Sequence, residues 1–255
     1  MKRLSTYAYG TLLMIIGVLV LSPDSGLLRL IDGDPYVVSF WRGMGICLVL
    51  WAAALVRSPA EFVYQLTHHT AVSVGIVLSF GMSSMSFVLG VTLLGAPTML
   101  VFVALTPLAS AFASRILFGE STDFALWIAI VIGIIGASIS GSAIPDGTPL
   151  VGYLACFLVP GLTGLGISLT RHYPREHIWP LYGSANLMMA CVIWFVIDTV
   201  SVPQGSIWLL TINACIVCSL SFMLITIAPK YLPAPEVGLY LLLETLIGPV
   251  IVWIL

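Results

Sequence analysis

Nine apolar blocks dominate this chain, and their length limits what it can fold into more than any motif does. They run Thr6–Leu21, Tyr36–Val56, Ala71–Leu94, Pro97–Phe118, Phe124–Ser142, Leu150–Leu169, Ile178–Ile197, Ile207–Ala228 and Pro235–Leu255. A helix of about 20 residues at 1.5 Å rise crosses a hydrocarbon core of about 30 Å. The first block is shorter and is expected to continue, bent, past Pro23. Val, Ile and Leu follow one another without the alternation of a membrane-barrel strand, so each block is expected to be a helix that satisfies its own backbone hydrogen bonds. Composition excludes a water-soluble bundle: 60% of residues are hydrophobic and 8% charged, where a soluble surface needs about a quarter or more charged. The predicted class is an all-α polytopic membrane protein with the lipid bilayer as a partner. A net charge of −2 leaves no basic stripe for phosphates, so nucleic acid is excluded as a partner.

Lys2 and Arg3 precede the first block without a clear small-residue cleavage pattern, which makes that block a retained helix and not a signal peptide. Cys47, Cys156, Cys191, Cys215 and Cys218 all fall inside blocks, where cysteine packs as a small apolar residue. Cys215 and Cys218 have the spacing of a metal pair, but no His or carboxylate accompanies them in that helix, and no metal or other cofactor is expected. Short loops rich in Lys and Arg stay on the cytoplasmic side. With a cytoplasmic N-terminus, the inner segments hold Lys2, Arg3, Arg57, Arg115, Arg171, Arg175 and Lys230, and the outer loops hold Arg29. His68, His69, His172 and His177 then lie at inner loops and are expected to be solvated.

Sliding the chain by 138 positions places Gly95-Ala96-Pro97 on Pro233-Ala234-Pro235, Ser83 on Ser221 and Met85 on Met223. The third and fourth blocks then overlie the eighth and ninth without a gap. A shift by an odd number of spans makes the second unit enter the membrane from the opposite face. This is an inverted repeat, as in many secondary transporters, whose substrate sites lie near the midplane. The expected units are residues 1–144, with five helices, and 145–255, with four. The same shift puts a tenth helix at about residue 262 onward, so nine of an expected ten transmembrane helices are present and the chain is expected to be C-terminally incomplete, against the alternative of a natural nine-helix protein.

Ionisable groups at membrane depth cost about 2.5–3.5 kcal/mol by insertion scales, so those that persist should face a cavity or a partner. Arg42 lies about 9 Å below the outer end of the second block and Glu244 about 13 Å from the inner end of the ninth, at 1.5 Å per residue. Their similar depth allows one shared cavity, for a charged substrate or a proton. A structural ion pair, or an arginine reaching for the interface, explains them as well. Asn186 either joins the substrate path or bonds a neighbouring helix, and Asn213 is read as the latter. Trp41, Tyr182 and Tyr240 can give a cavity an apolar wall, and Ser83 can line it, although an interfacial belt accounts for Trp41 and helix packing for Ser83. Pro107, Pro160 and Pro249 interrupt or bend their helices and are candidate hinges, or plain kinks. Gly133, Ala137 and Gly141 draw a small-residue stripe on the fifth block, suited to helix packing or a homodimer face.

Several of these pieces fall together: Phe40-Trp41-Arg42 in the second block, Gly95-Ala96-Pro97, Thr106-Pro107 and Phe118-Gly119-Glu120 around the fourth, and Pro233-Ala234-Pro235-Glu236, Leu243-Glu244 and Gly248-Pro249 in the ninth. In that order and at those helix positions the chain resembles the EamA-like members of the drug/metabolite transporter superfamily, over nearly its whole length. The resemblance implies a ten-helix fold, a central cavity, alternating access, and export of small metabolites or drugs across a bacterial inner membrane, with Arg42 and Glu244 as the family's typical charged positions. The expected function is therefore a secondary transporter of a small-molecule substrate, amino-acid-like or drug-like. No G-x-x-x-x-G-K-[ST] loop is present, so ATP is not the expected energy source. An inactive fragment or a helix-packing protein is the alternative. No catalytic residues are expected, because an embedded enzyme would need a nucleophile–base or metal constellation within the blocks.

Overall fold

The computed structural model is all-helical, with no strand among the described residues. It describes the backbone of residues 2–121, 124, 127–128, 131–132, 135, 150–175, 177–202 and 204–254, and the same side chains except those of 2–5, 245–246 and 248–254. The small-residue stripe at Gly133, Ala137 and Gly141 lies outside the described residues.

Helix α1, Lys2–Leu21, stops at Ser22-Pro23, and α2, Asp24–Leu30, resumes beyond the bend. Proline lacks an N–H to continue the ladder, and Ser22 Oγ donates to Val18 O at 2.8 Å just before it. Helix α3, Pro35–Arg57, starts on Asp34, whose carboxylate accepts from the Tyr36 and Val37 amides with Pro35 in the first turn. A short helix α4, Pro59–Thr67, is capped by Ser58. Helix α5, Ala71–Leu94, begins in a reciprocal Thr70–Ser73 capping box.

The fourth apolar block is broken in two. Helix α6, Ala96–Val103, ends at Ala104-Leu105, and α7, Thr106–Phe118, starts with Pro107 in its first turn and stops at Gly119, φ 67°. Helix α8, Leu150–His172, carries Pro160 without breaking. Helix α9, Trp179–Trp194, has 16 residues and is shorter than its apolar block. The eighth block is not a uniform α-helix either: α10, Ile207–Thr211, passes into a π-helical stretch, Ile212–Cys218, and then into α11, Ser219–Ile225. Helix α12 spans Ala234–Ile254.

Six helical stretches of the described residues are long and apolar enough to cross a membrane: Thr6–Leu30, Pro35–Arg57, Ala71–Leu94, Ala96–Phe118, Leu150–His172 and Gln204–Lys230. Large apolar side chains such as Leu48, Ile116, Leu154, Phe157 and Trp208 stand exposed on them. Apolar surface on this scale suits a protein embedded in a membrane.

Inside, α5 lies against α8 and α9, α9 also covers α3, and α7 is held between α8 and α12. One apolar cluster gathers Met14, Ile46, Leu50, Ile76, Leu181 and Leu232. A second gathers Leu28, Val38, Val88, Met99 and Val159. Two glycines mark close helix crossings. A Cβ at Gly164 would sit 2.5 Å from the Ser110 amide nitrogen, and one at Gly238 would sit 2.8 Å from Pro107 Cα. Backbone meets backbone at both points, and the second crossing lies beside the break between α6 and α7.

Candidate functional site

The helix interruptions converge on one internal cavity of about 90 Å³. It is reached by Leu21 and Asp24 at the α1–α2 bend, Arg42 of α3, Phe80, Ser83, Ser84 and Phe87 of α5, and Thr106 at the α6–α7 break. From the later elements come Thr163 of α8, Tyr182 of α9, Phe222 of α11, Thr226 beyond it and Glu244 of α12. Arg42 and Glu244 thus line the same space.

They do not pair with each other. Arg42 Nη2 binds Asp24 Oδ2 at 2.7 Å, with the two side chains 3% and 2% exposed. Asp24 is the residue that sequence reasoning missed. It follows Pro23, past which the first block does continue, bent, as expected, and the bend turns the carboxylate into the interior. A second partner is Asn213, whose Nδ2 donates to Asp24 Oδ1 at 2.7 Å while its Oδ1 accepts from Arg42 Nε at 3.2 Å. Asn213 does bond neighbouring helices, as expected, and in doing so completes the buried pair.

The π-helical stretch explains how Asn213 and Cys218 reach the same ion pair. With bonds closing over five residues instead of four, side chains five apart come to lie on one face, an arrangement frequent at functional sites. Cys218 Sγ lies 3.6 Å from Asn213 Oδ1 and accepts from Arg42 Nη2 at 3.2 Å. Only Cys218 of the Cys215/Cys218 pair reaches Arg42, Cys215 lying beside Gly45, and no group of three or more His, Cys, Asp or Glu suited to a metal occurs among the described residues. Arg42 Nη1 also donates to Ser84 Oγ at 3.4 Å, which in turn donates to Asn186 Oδ1 at 2.9 Å. Asn186 closes the network through its Nδ2 on Tyr182 O at 2.9 Å. It supports the cavity from behind Ser84.

Glu244 has no such shell. It is 3% exposed, and its Oε1 finds no hydrogen-bond partner among the described residues. No Lys, Arg or His nitrogen of the described residues lies within the 4.0 Å of an ion pair. Thr106 Oγ1, buried in the same cavity, is likewise unpartnered. Ser83 lines the cavity and shares a 2.7 Å hydrogen bond with Thr163 Oγ1. Tyr182 lies between Phe80 and Phe222, at centroid distances of 4.9 and 4.7 Å.

Trp41 and Tyr240 stand apart from this space. Trp41 points along the other side of α3, donating from Nε1 to Val200 O at 2.8 Å, because adjacent helical residues diverge by about 100°. Tyr240 faces α1, with its hydroxyl on Thr11 Oγ1 at 3.3 Å. Of the hinge candidates, Pro107 sits at a true interruption and Pro160 within a continuous helix. Pro249 falls where side chains lie outside the described set.

The cavity extends along α8 to Thr170 and ends beside Pro229, where polar side chains tie three elements together. Arg171 Nε donates to Glu120 Oε1 at 3.0 Å, and its Nη1 donates to Pro229 O and Leu232 O. Lys230 Nζ donates to Thr170 O and Tyr173 O. His172, expected to be solvated, instead stacks on Phe118 with centroids 3.5 Å apart and places Nε2 3.4 Å from Glu120. Nearby, Arg175 pairs with Glu61 at 3.2 Å.

No protein-family profile matches the chain, and no curated protein matches it. Among solved structures 11 chains match. One of them, a crystal structure, shares the fold at a TM-score of 0.76 and 17% sequence identity, over 97% of this chain and 88% of its own.

Proposed function

We propose that this protein is a secondary transporter similar to the EamA-like drug/metabolite transporters, exporting a small molecule by alternating access through the cavity between residues 1–144 and 145–255. Glu244 carries the reading. A buried carboxylate without a partner is unfavourable by several kcal/mol unless something else neutralises it, and here it faces a cavity built by interrupted helices.

Three further features support the proposal. The cavity draws side chains from both units, Asp24, Arg42 and Thr106 from one and Thr163, Tyr182 and Glu244 from the other. The shift of 138 positions that suggests an inverted repeat puts Ala96, the first residue of α6, on Ala234, the first residue of α12, each followed by proline. The breaks at Ala104-Leu105 and after Ile225, and the polar ties around Arg171 at one end of the cavity, are the parts expected of hinges and of a closed gate. In this reading the gate is cytoplasmic, the N-terminus lies on the same side of a bacterial inner membrane, and an ion or solute gradient supplies the energy.

The test compares cells producing the protein or its Glu244→Gln variant, at matched membrane levels, in a screen of tolerance to metabolites and toxic compounds. Efflux of each hit is then followed from proteoliposomes. Tolerance and efflux conferred by the parent and lost in Glu244→Gln are expected. Parent-level efflux by Glu244→Gln across pH overturns the role of the carboxylate, and no protected compound overturns export.

A further inference from the structure

The ionisable groups facing the cavity do not all find partners. Asp24 and Arg42 neutralise each other at 2.7 Å. The guanidinium has little left to offer: Nε donates to Asn213, Nη2 to Asp24 and Cys218, and Nη1 to Ser84. Of its five N–H donors one remains, too few for a two-pronged grip on a carboxylate. Glu244 is left over as a carboxyl group without a counter-ion, buried, with Oε1 unpartnered among the described residues and Thr106 Oγ1 unpartnered in the same cavity. Beside them runs the aromatic strip Phe80, Tyr182 and Phe222, each ring within 5 Å of the next.

From this arrangement we infer that the cavity takes one small ammonium group, a protonated amine. Glu244 is its counter-ion, Thr106 a hydrogen-bond partner, and the aromatic strip a wall whose ring faces attract cations. An amino-acid-like or anionic solute fits poorly, since its carboxylate would meet Glu244 and find no free arginine. A bare metal cation fits poorly as well, because Ca²⁺ takes six to eight oxygens and the cavity offers two that are unpartnered. The inference deepens the transporter proposal by naming the charge class of its substrate, and it rests on that proposal for what moves but not for what binds.

Binding is read from the thermal midpoint of the purified full chain in detergent, followed by tryptophan fluorescence. n-Butylammonium chloride is titrated against sodium chloride at equal ionic strength, with 1-pentanol and pentanoate as neutral and anionic linear counterparts of similar size. A saturable rise in midpoint with butylammonium alone is expected, abolished in Glu244→Gln and weakened in Thr106→Val. Thr106→Val keeps the test decisive should Glu244→Gln fold poorly. Four results overturn the inference: no rise with butylammonium, as for a site that takes only a proton; an equal rise with pentanol; an equal rise with pentanoate or sodium; or an undiminished rise in both variants. Counterflow in proteoliposomes separates the two claims. Amine binding without amine movement refutes transport and leaves the site standing, whereas movement of a neutral or anionic solute without amine binding does the reverse.

Discussion

Replacing Asp24 by asparagine keeps the shape of the side chain and removes its charge, leaving Arg42 a buried cation 3% exposed with no anion in contact. Breaking a buried pair in this way costs about 3–5 kcal/mol. The lower end is expected here, because Asn213, Ser84 and Cys218 still accept from the guanidinium and Glu244 faces the same cavity. For a chain of this size about 3 kcal/mol corresponds to a fall in thermal midpoint of roughly 6–12 °C. Replacing both partners, Asp24→Asn with Arg42→Met, removes the stranded charge, so the double variant should lie above Asp24→Asn alone, with a coupling of about 2–3 kcal/mol. Denaturant titration of the four proteins in detergent measures that coupling. Additive effects within about 0.5 kcal/mol would refute the claim that Asp24 is the anion that holds Arg42.

Three other outcomes are expected. On α8, Gly164→Ala drives a Cβ to 2.5 Å from the Ser110 amide nitrogen and should destabilise by about 1–3 kcal/mol, whereas Gly161→Ala, with nothing within 4 Å of the new methyl, should stabilise by about 0.5–1 kcal/mol; equal midpoints for the two would contradict the crossing of α7 and α8. Arg171→Ala strips donors from Glu120, Pro229 and Leu232 and should lose about 1–3 kcal/mol, against less than about 1 kcal/mol for Arg175→Ala, whose pair with Glu61 is about one-third exposed on both sides; denaturation of both variants ranks them. A single cysteine replacing His172 in a cysteine-free background should react with an impermeant thiol reagent only from the cytoplasmic side, and labelling from outside would reverse the proposed orientation.

How much of this was legible in the sequence depended on whether a residue announced a cost. Arg42 and Glu244 stood out because charge inside an apolar block is unfavourable whatever the fold, and both do face one cavity. Asp24 carried the same warning but lay beyond the first block, Thr6–Leu21, in the continuation expected past Pro23. The uninterrupted apolar run on its far side, Gly26-Leu27-Leu28, was the signal that the chain had not yet left the interior. Trp41 could be read either as cavity wall or as interfacial belt, and it points away from the cavity that its neighbour Arg42 lines because one residue turns the helix by about 100°. The π-helical turn at Ile212–Cys218 had no signature in Ile-Asn-Ala-Cys-Ile-Val-Cys, because that local winding serves contacts to Asp24 and Arg42, residues about 170 to 190 positions away. Periodicity reports which face of a helix is apolar. It does not report an extra residue inserted so that two polar side chains meet a distant pair.

The two acidic side chains of the cavity answer the same desolvation problem in opposite ways, and that contrast separates scaffold from site. Asp24 is matched by a cation at 2.7 Å and an amide at 2.7 Å, so nothing from outside improves its surroundings and its removal should act on folding. Glu244, equally buried, has neither. A fold that brings three helical elements together to satisfy one carboxylate had the means to satisfy the other, with Thr106 in the same cavity and Arg42 lining it. Leaving Glu244 open is stable only if an occupant carrying positive charge, or a proton, completes it. Neutralising Glu244 should therefore raise the stability of the empty protein and abolish its response to an amine, whereas neutralising Asp24 should lower stability whether or not an amine is present. Thermal midpoints of Glu244→Gln and Asp24→Asn, each measured with and without butylammonium, test this opposition, and a fall in both variants without ligand would place Glu244 with the scaffold.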